Sequence, residues 1–334
     1  MTNQPKHLYL IDGSGFLFRA FHALPPMTRD DGTPVNAVFG FTKMVMKLID
    51  DTDADYIAVI FDRARKTFRS KIYADYKANR PPPPDELIPQ FQLVRNATEA
   101  MNVPAIDMDG FEADDLIATY ARQAAEAGAE VTIVSSDKDL MQLVTDKVTM
   151  LDAMKNRVIG HEQVVEKFGV GPGRVVDVQS LAGDSTDNVP GVQGIGVKTA
   201  AQLINEYGDL DSLLANAEKI KQPKRRQRLI EQADMARMSR ELVRLDQNVP
   251  VTEAWESFAV KSPDPNVLLP FLREQKFRSL LSTMEARLGV EPGDRVAGGS
   301  GDAGLDEASY ELVQTEGALK AWIAEADEAG AVAV

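Results

Sequence analysis

The chain has 334 residues, of which 44% are hydrophobic, enough for two or three domains with real cores. It has no cysteine, which excludes disulfides, thiolate metal sites and cysteine nucleophiles, and its histidines, His7, His22 and His161, are too scattered for a metal cluster. The net charge of −14 argues against a nucleic-acid partner only until its placement is considered: residues 291–334 hold ten acids and two bases, which leaves −6 on the first 290, or about +3 without nine clustered acids.

LYLID predicts a buried strand over 7–12 ending at Asp12. No secretory signal precedes it, and no run approaches the roughly 18–20 apolar residues of a membrane span, so a cytoplasmic chain with no membrane partner is expected. YIAVIFD predicts a strand over 56–62 ending at Asp62, and VTIVSSD one over 131–137 ending at Asp137. Helical periodicity covers 35–51, 85–101 and 112–126, the last closed by Gly128. KVTMLD, residues 147–152, offers a further strand. The alternation predicts an α/β fold over 1–175, a mostly parallel central sheet with helices on both faces.

Residues 63–84 interrupt this pattern. They are charged and aromatic and close on Pro81–Pro84, which predicts a mobile or arched excursion from the sheet's active edge. Past residue 160 the pattern turns helical, giving a helical subdomain over 176–290. Residues 291–304 have the glycine, serine and acid content of a flexible linker. Residues 305–334 read as strand, helix, strand. That is too little to close a sheet, so the chain is expected to be a fragment that stops inside a further domain.

The chemistry lies in five acidic clusters: Asp12; Asp62; Glu112, Asp114 and Asp115; Asp137 and Asp139; Asp184 and Asp187. Three open at the carboxyl end of a predicted strand, the edge at which open parallel sheets bind ligands. Each cluster has a plainer use: acids cap helices, and DxD or Asx-rich loops make turns. Together they would repel one another unless hard cations sat between them, and an all-oxygen set suits two or more Mg2+ or Mn2+ ions. Two ions about 4 Å apart serve phosphodiester hydrolysis. The expected inner ligands are Asp62, Glu112, Asp114, Asp115 and Asp137, with Asp12, Asp139, Asp184 and Asp187 acting more from outside.

VPGVQGIGVKTAAQLI, residues 189–204, has the form of a helix-hairpin-helix. Gly191, Gly194 and Gly196 would expose turn amides, and Lys198 and Thr199 stand where a duplex phosphate would lie. A glycine turn between core helices is the alternative. In FRSKIYADYKANRP, Phe68, Tyr73 and Tyr76 alternate with Arg69, Lys71, Lys77 and Arg80, rings for stacking on bases and cations for phosphate, or else a solvated charged helix.

IDGSGFLFRAFHA, the FD at 61–62, YKANRP, GFEADDLIA, SSDKDL and GDSTDNVPGVQGIGVKTA, in this order, resemble the 5′-nuclease (flap endonuclease) domain of bacterial DNA polymerase I over residues 5–290, with all nine acidic positions filled. Residues after 304 resemble the start of that polymerase's 3′–5′ exonuclease-like domain. The resemblance implies a monomeric phosphodiesterase acting on branched or nicked duplex DNA with a 5′ end or flap, RNA primer ends included, in replication and repair. It further implies that Lys77, Arg80 and Arg19 act at the scissile phosphate, that Tyr76 stacks on the displaced base, and that the hairpin holds a K+ ion through backbone carbonyls. A flap-binding module without turnover and an RNA-directed nuclease are the competing readings. The complete acidic set disfavours the first and the hairpin the second.

Overall fold

The computed structural model describes residues 6–289. The linker and the strand-helix-strand expected over 291–304 and 305–334 lie outside the described residues. The described residues form one compact unit.

Six strands form one sheet: β1 (His7–Asp12), β2 (Tyr56–Ile60), β3 (Ala105–Ile106), β4 (Glu130–Val134), β5 (Val148–Asp152) and β6 (Arg157–Ile159). Their order is β3-β2-β1-β4-β5-β6, all parallel except the β5–β6 pair. From β1 the chain builds outward through β2 and β3, then crosses to β4 on β1's other side. The switch point therefore lies between β1 and β4, and the crevice beyond their carboxyl ends is where such sheets take ligands.

Alternation within each strand explains why both faces are apolar. Leu8, Leu10, Ala58, Ile60 and Ile133 point to one face, where they meet Leu116, Ile117 and Tyr120 of α5 (Ala113–Glu126). Tyr9, Ile11, Ile57, Val59 and Val134 point to the other. There they meet α1 (Gly13–Ala23), α2 (Asn36–Asp51) and α4 (Gln90–Ala100). Strands buried on both sides read as continuous apolar runs.

The helical part contains α6 (His161–Phe168), α7 (Val175–Ala182), α8 (Val197–Tyr207), α9 (Leu210–Ala215), α10 (Pro223–Glu231) and α11 (Ala233–Val243), followed by α12 (Pro265–Glu274) and α13 (Arg278–Leu288). One apolar cluster runs without a break from Leu8 through Leu181 and Ile204 to Phe258. The change from sheet to helices is thus a change of architecture within one core.

The structure departs from the sequence reading in four places. Helix α1 was not expected, because two glycines in its first turn mask its pattern; Asp12 caps it by accepting from the Gly15 amide at 2.8 Å. The helix expected from residue 85 starts at Gln90, behind Pro89. Short β3 and antiparallel β6 were too brief to signal.

The fourth departure matters most. The 63–84 excursion is laid down and anchored. Its short helix α3 (Arg69–Ile72) contacts α11, the Lys77 amide bonds the Asp187 carbonyl at 2.9 Å, Asn79 bonds that of Ser185 at 2.6 Å, and Asn188 reaches back to Asp75 at 2.7 Å. Three polar ties to the 185–188 loop replace the open arch.

Candidate active site

Strand β1 delivers Asp12 to the crevice, 9% exposed. Its second oxygen accepts from Ser135 Oγ at 2.9 Å, tying the ends of β1 and β4 together. Asp62, just past β2, accepts from Ser14 Oγ at 2.7 Å and from the Ala113 amide at 2.9 Å, at the positive end of α5. Asp114 stands in the first turn of that helix. Asp137, after β4, accepts from the Asp139 amide at 2.9 Å.

These carboxylates feel one another. Burial pushes the Asp12 pKa up to about 6 against the Gly15 and Ser135 hydrogen bonds, with Asp62 and Asp137 adding repulsion. Burial also drives Asp114 well above the usual carboxylate range, helped by Asp137, Asp12 and Asp62 and opposed by Lys77. Four acids from four separate elements therefore share the switch-point crevice.

The remaining acids meet cations. Glu112 accepts from Lys77 Nζ at 2.8 Å, and Asp187 pairs with Arg80 and lies 3.6 Å from Lys77 Nζ. Asp184 pairs with Lys138 at 2.6 Å. Burial pushes both Glu112 and Asp184 upward, but Lys77 with Arg69 at the first, and Lys138 with the Thr186 amide at the second, outweigh it and hold both below the ordinary value. Asp139 goes the other way, up to about 7, through burial and Asp137, despite a 2.5 Å hydrogen bond from Gln179 Nε2. A narrow cleft lined by Tyr76, Glu112, Asp114, Asp139, Asp184 and Asp187 joins the two groups.

Lys77 sits at φ +55°, in the left-handed region where a side chain costs about 1 kcal/mol or more. Its amide bond and its two carboxylate contacts hold it there. Arg19 of α1 donates to Ser136 Oγ at 2.5 Å and lies 3.4 Å from buried Asp152, which places it beside the Asp137 loop.

Residues 7–169 match the 5′-3′ exonuclease N-terminal resolvase-like domain, and residues 170–266 match the 5′-3′ exonuclease C-terminal SAM fold. A 5′-3′ exonuclease of Aquifex aeolicus is 39% identical over 282 residues, a match covering 84% of this chain and 96% of that one. This chain belongs to the 5′-3′ exonuclease family. The DNA polymerase I of Rhizobium leguminosarum is 56% identical over 282 residues, which cover 82% of this exonuclease but 28% of the polymerase. Among solved structures, the T5 D15 protein co-crystallised with metal ions shares the fold at a TM-score of 0.62 and 21% identity, covering 85% of this chain and 99% of that one. The catalytic core of Rad2 in complex with DNA substrate does so at 0.56 and 14%, covering 86% and 93%.

Several expected roles meet a different geometry in this exonuclease. Asp115, expected as an inner metal ligand, is fully buried, and both its oxygens are engaged: Arg69 grips them at 2.7 Å each, and the amides of Asp246 and Glu112 add bonds at 2.9 and 3.1 Å. Arg69, expected on DNA, is 1% exposed and also donates to the carbonyls of Leu242 and Arg244, so it is an internal anchor. Tyr76, expected to stack on a base, packs with Tyr73 against Val189, Leu242 and Val243, its hydroxyl 3.3 Å from Glu112. The Gly191 amide, expected to be offered to phosphate, donates instead to buried Ser239 Oγ at 3.0 Å. Gly191 is required for another reason: at φ +60° its Cβ would stand 2.4 Å from the Gly183 nitrogen. Gly194, Gly196, Lys198 and Thr199 remain on or near the surface of the turn.

Among the described residues no three acids form a ready-made cage for a metal ion. Glu112, Asp184 and Asp187 are turned toward Lys77, Lys138 and Arg80. Sequence reasoning passed over Ser135, Lys138, Asp152 and Gln179. Ser135 and Lys138 lie inside SSDKDL and were within reach of it; Asp152 and Gln179, buried polar residues on a strand and a helix, carry no local signal.

Proposed function

We propose that this 5′-3′ exonuclease is a divalent-metal-dependent nuclease that hydrolyses phosphodiesters at 5′ ends and flaps of branched or nicked duplex DNA, as part of a DNA polymerase I. One observation carries the reading. Cations of the 63–84 segment, Lys77 and Arg80, close over a crevice of acids drawn from β1, the start of α5 and the loops after β2, β4 and α7.

The donor set fits hard cations: every candidate is a carboxylate, and Asp12, Asp62, Asp114 and Asp137 repel one another in a way that two positive charges would relieve. These four would hold one ion, and Asp139, Asp184 and Asp187 would serve a second, with Glu112 between them. When bound, such ions supply an activated water and stabilise charge on the attacking and leaving oxygens. Asp115 is left out of this set and serves as the partner of Arg69.

The chain's own groups do the rest. Lys77 and Arg80 turn from Glu112 and Asp187 to the scissile phosphate, and Arg19 supports it from α1, held by Ser136 and Asp152. Stacking of Tyr76 on the displaced base would require it to leave its apolar niche against Val189, Leu242 and Val243. Amides around Gly194–Thr199 at the start of α8 hold the duplex backbone without reading sequence. A K+ ion at this turn would have to share the Gln193 carbonyl with Arg228, which donates to it at 3.0 Å. No helix among the described residues is long and apolar enough to cross a membrane.

The test is a 5′-flap DNA labelled at its 5′ end, incubated with magnesium, with manganese or with chelator, beside the same flap with an RNA 5′ end. Short labelled products from near the junction are expected only with metal. Tight binding with no product under any condition would make the chain a binding module.

Stability should depend on pH in a way that reports the crevice. Asp12 and Asp139 have folded pKa values of about 6 and 7 against 3.8 when free. Between these values the folded chain holds protons that the unfolded chain has released, so stability falls as pH rises. Glu112 and Asp184 work in the opposite sense, but only near and below their ordinary values of 4.5 and 3.8. From pH 5 to 7.5 in chelator the loss should be on the order of 2–4 kcal/mol. Millimolar magnesium should recover most of it at pH 7.5 and little at pH 5, because the ion takes the place of the protons. A magnesium effect on Tm that is equal at both pH values would count against a shared acidic crevice.

A further inference from the structure

We propose that α10 is a second duplex-backbone subsite, continuing the grip of the 189–204 hairpin along the DNA; this rests on the DNA-nuclease reading above. Six cations fall within ten residues here: Lys219, Lys221, Lys224, Arg225, Arg226 and Arg228. In a chain of net charge −14 such a group would ordinarily be neutralised by its neighbours. It is not. Among the described residues none of these six makes an ion pair; the ion pairs of the stretch from α7 to α11 are made by Arg174, Arg237 and Arg240. Their polar partners are neutral: Asn216 for Lys219, Gln222 for Arg225 and the Gln193 carbonyl for Arg228. Among the described residues, Lys221 and Lys224 have no hydrogen-bond partner and are exposed. A cluster of unpaired cations is unfavourable by itself and is relieved by a polyanion.

Position selects the polyanion. Arg228 lies against the hairpin turn, its Nη1 on the Gln193 carbonyl and 2.1 Å from where a Gly194 Cβ would stand. Lys224 is one helical turn before Arg228 on the same face, and Arg225 is next to it; Arg226 is about 200° round the helix from Lys224. The buried residue Leu229 fixes the helix's inner side. A basic strip thus starts at Arg228 beside the hairpin, where a duplex phosphate would be held, and runs back one helical turn, about 6 Å, to Lys224, with Lys221 and Lys219 just before the helix. At 3.4 Å per step the charged turn alone spans about two base pairs of backbone. A continuous line of phosphates fits this strip, and an isolated anion does not require it.

The full chain, in chelator so that DNA stays intact, is titrated by fluorescence anisotropy against 5′-flap duplexes with arms of increasing length, at several KCl concentrations. For the unaltered chain, affinity should climb as the arm extends over α10 and then level off. The Lys224→Gln/Arg225→Gln pair should lose that gain, and the slope of log K against log[salt] should fall by about 2. Arg226→Gln, on the other side of the helix, should keep both. A pair that keeps the length gain and the slope, or an Arg226→Gln that lowers the slope as much as the pair does, overturns the subsite and leaves the hairpin alone on the duplex. If the unaltered chain binds no duplex of any length, the DNA-nuclease reading itself has failed, a distinct result. Thermal melting verifies folding; should the pair not fold, Lys224→Gln alone, exposed and without a partner, should lower the slope by about 1.

Discussion

Replacing Arg69 with methionine should lower the unfolding free energy by about 3–5 kcal/mol, the usual cost of leaving one member of a buried ion pair without the other. In a chain of this size that is a fall in Tm on the order of 10 °C. The reason is specific to the geometry. Arg69 is 1% exposed, grips both oxygens of a fully buried Asp115, and caps the carbonyls of Leu242 and Arg244. Without it the 63–84 segment, the N-terminus of α5 and the end of α11 lose their common tie. Asp115→Asn should also lose stability, yet its affinity for divalent ions, read by calorimetry, should stay within about twofold, since the ion pair and not a metal bond engages its oxygens. A large loss of ion affinity with an unchanged Tm would return Asp115 to the metal ligands.

Lys77→Ala should slow cleavage of a 5′ flap by about 100- to 1000-fold, the range seen when a preorganised donor to developing charge is removed. Flap binding should change far less, because the charge develops only in the transition state. Single-turnover rates at saturating enzyme, beside anisotropy in chelator, separate the two. A third readout follows from the 2.8 Å contact between Lys77 Nζ and Glu112: the ammonium competes with any metal for that carboxylate, so the alanine variant should bind divalent ions more tightly. Equal losses in binding and cleavage would make Lys77 a binding residue only, and weaker ion binding would mean that it helps to build the metal site.

The molecule was unevenly legible in its sequence. Strands over 7–12, 56–62 and 131–137 were evident because a strand buried on both faces must be apolar throughout, and that is a property of adjacent residues. The structure ends two of them earlier, at Ile60 and Val134, leaving Asp62 and Asp137 on the loops beyond. Short β3 and β6 gave no such run and were missed.

By itself, the sequence determined the α/β class, the strands that lead to Asp12, Asp62 and Asp137, and membership of the 5′-3′ exonuclease family. These rest on local patterns and on residues in a fixed order. Tertiary structure alone decided which of those groups are offered to a ligand. Arg69 finds Asp115 across 46 residues and the Leu242 carbonyl across 173, Lys77 finds Glu112 across 35, and Tyr76 is buried against α11. A buried charge must take whatever counter-charge the fold brings within reach, and no spacing along the chain specifies which one that will be.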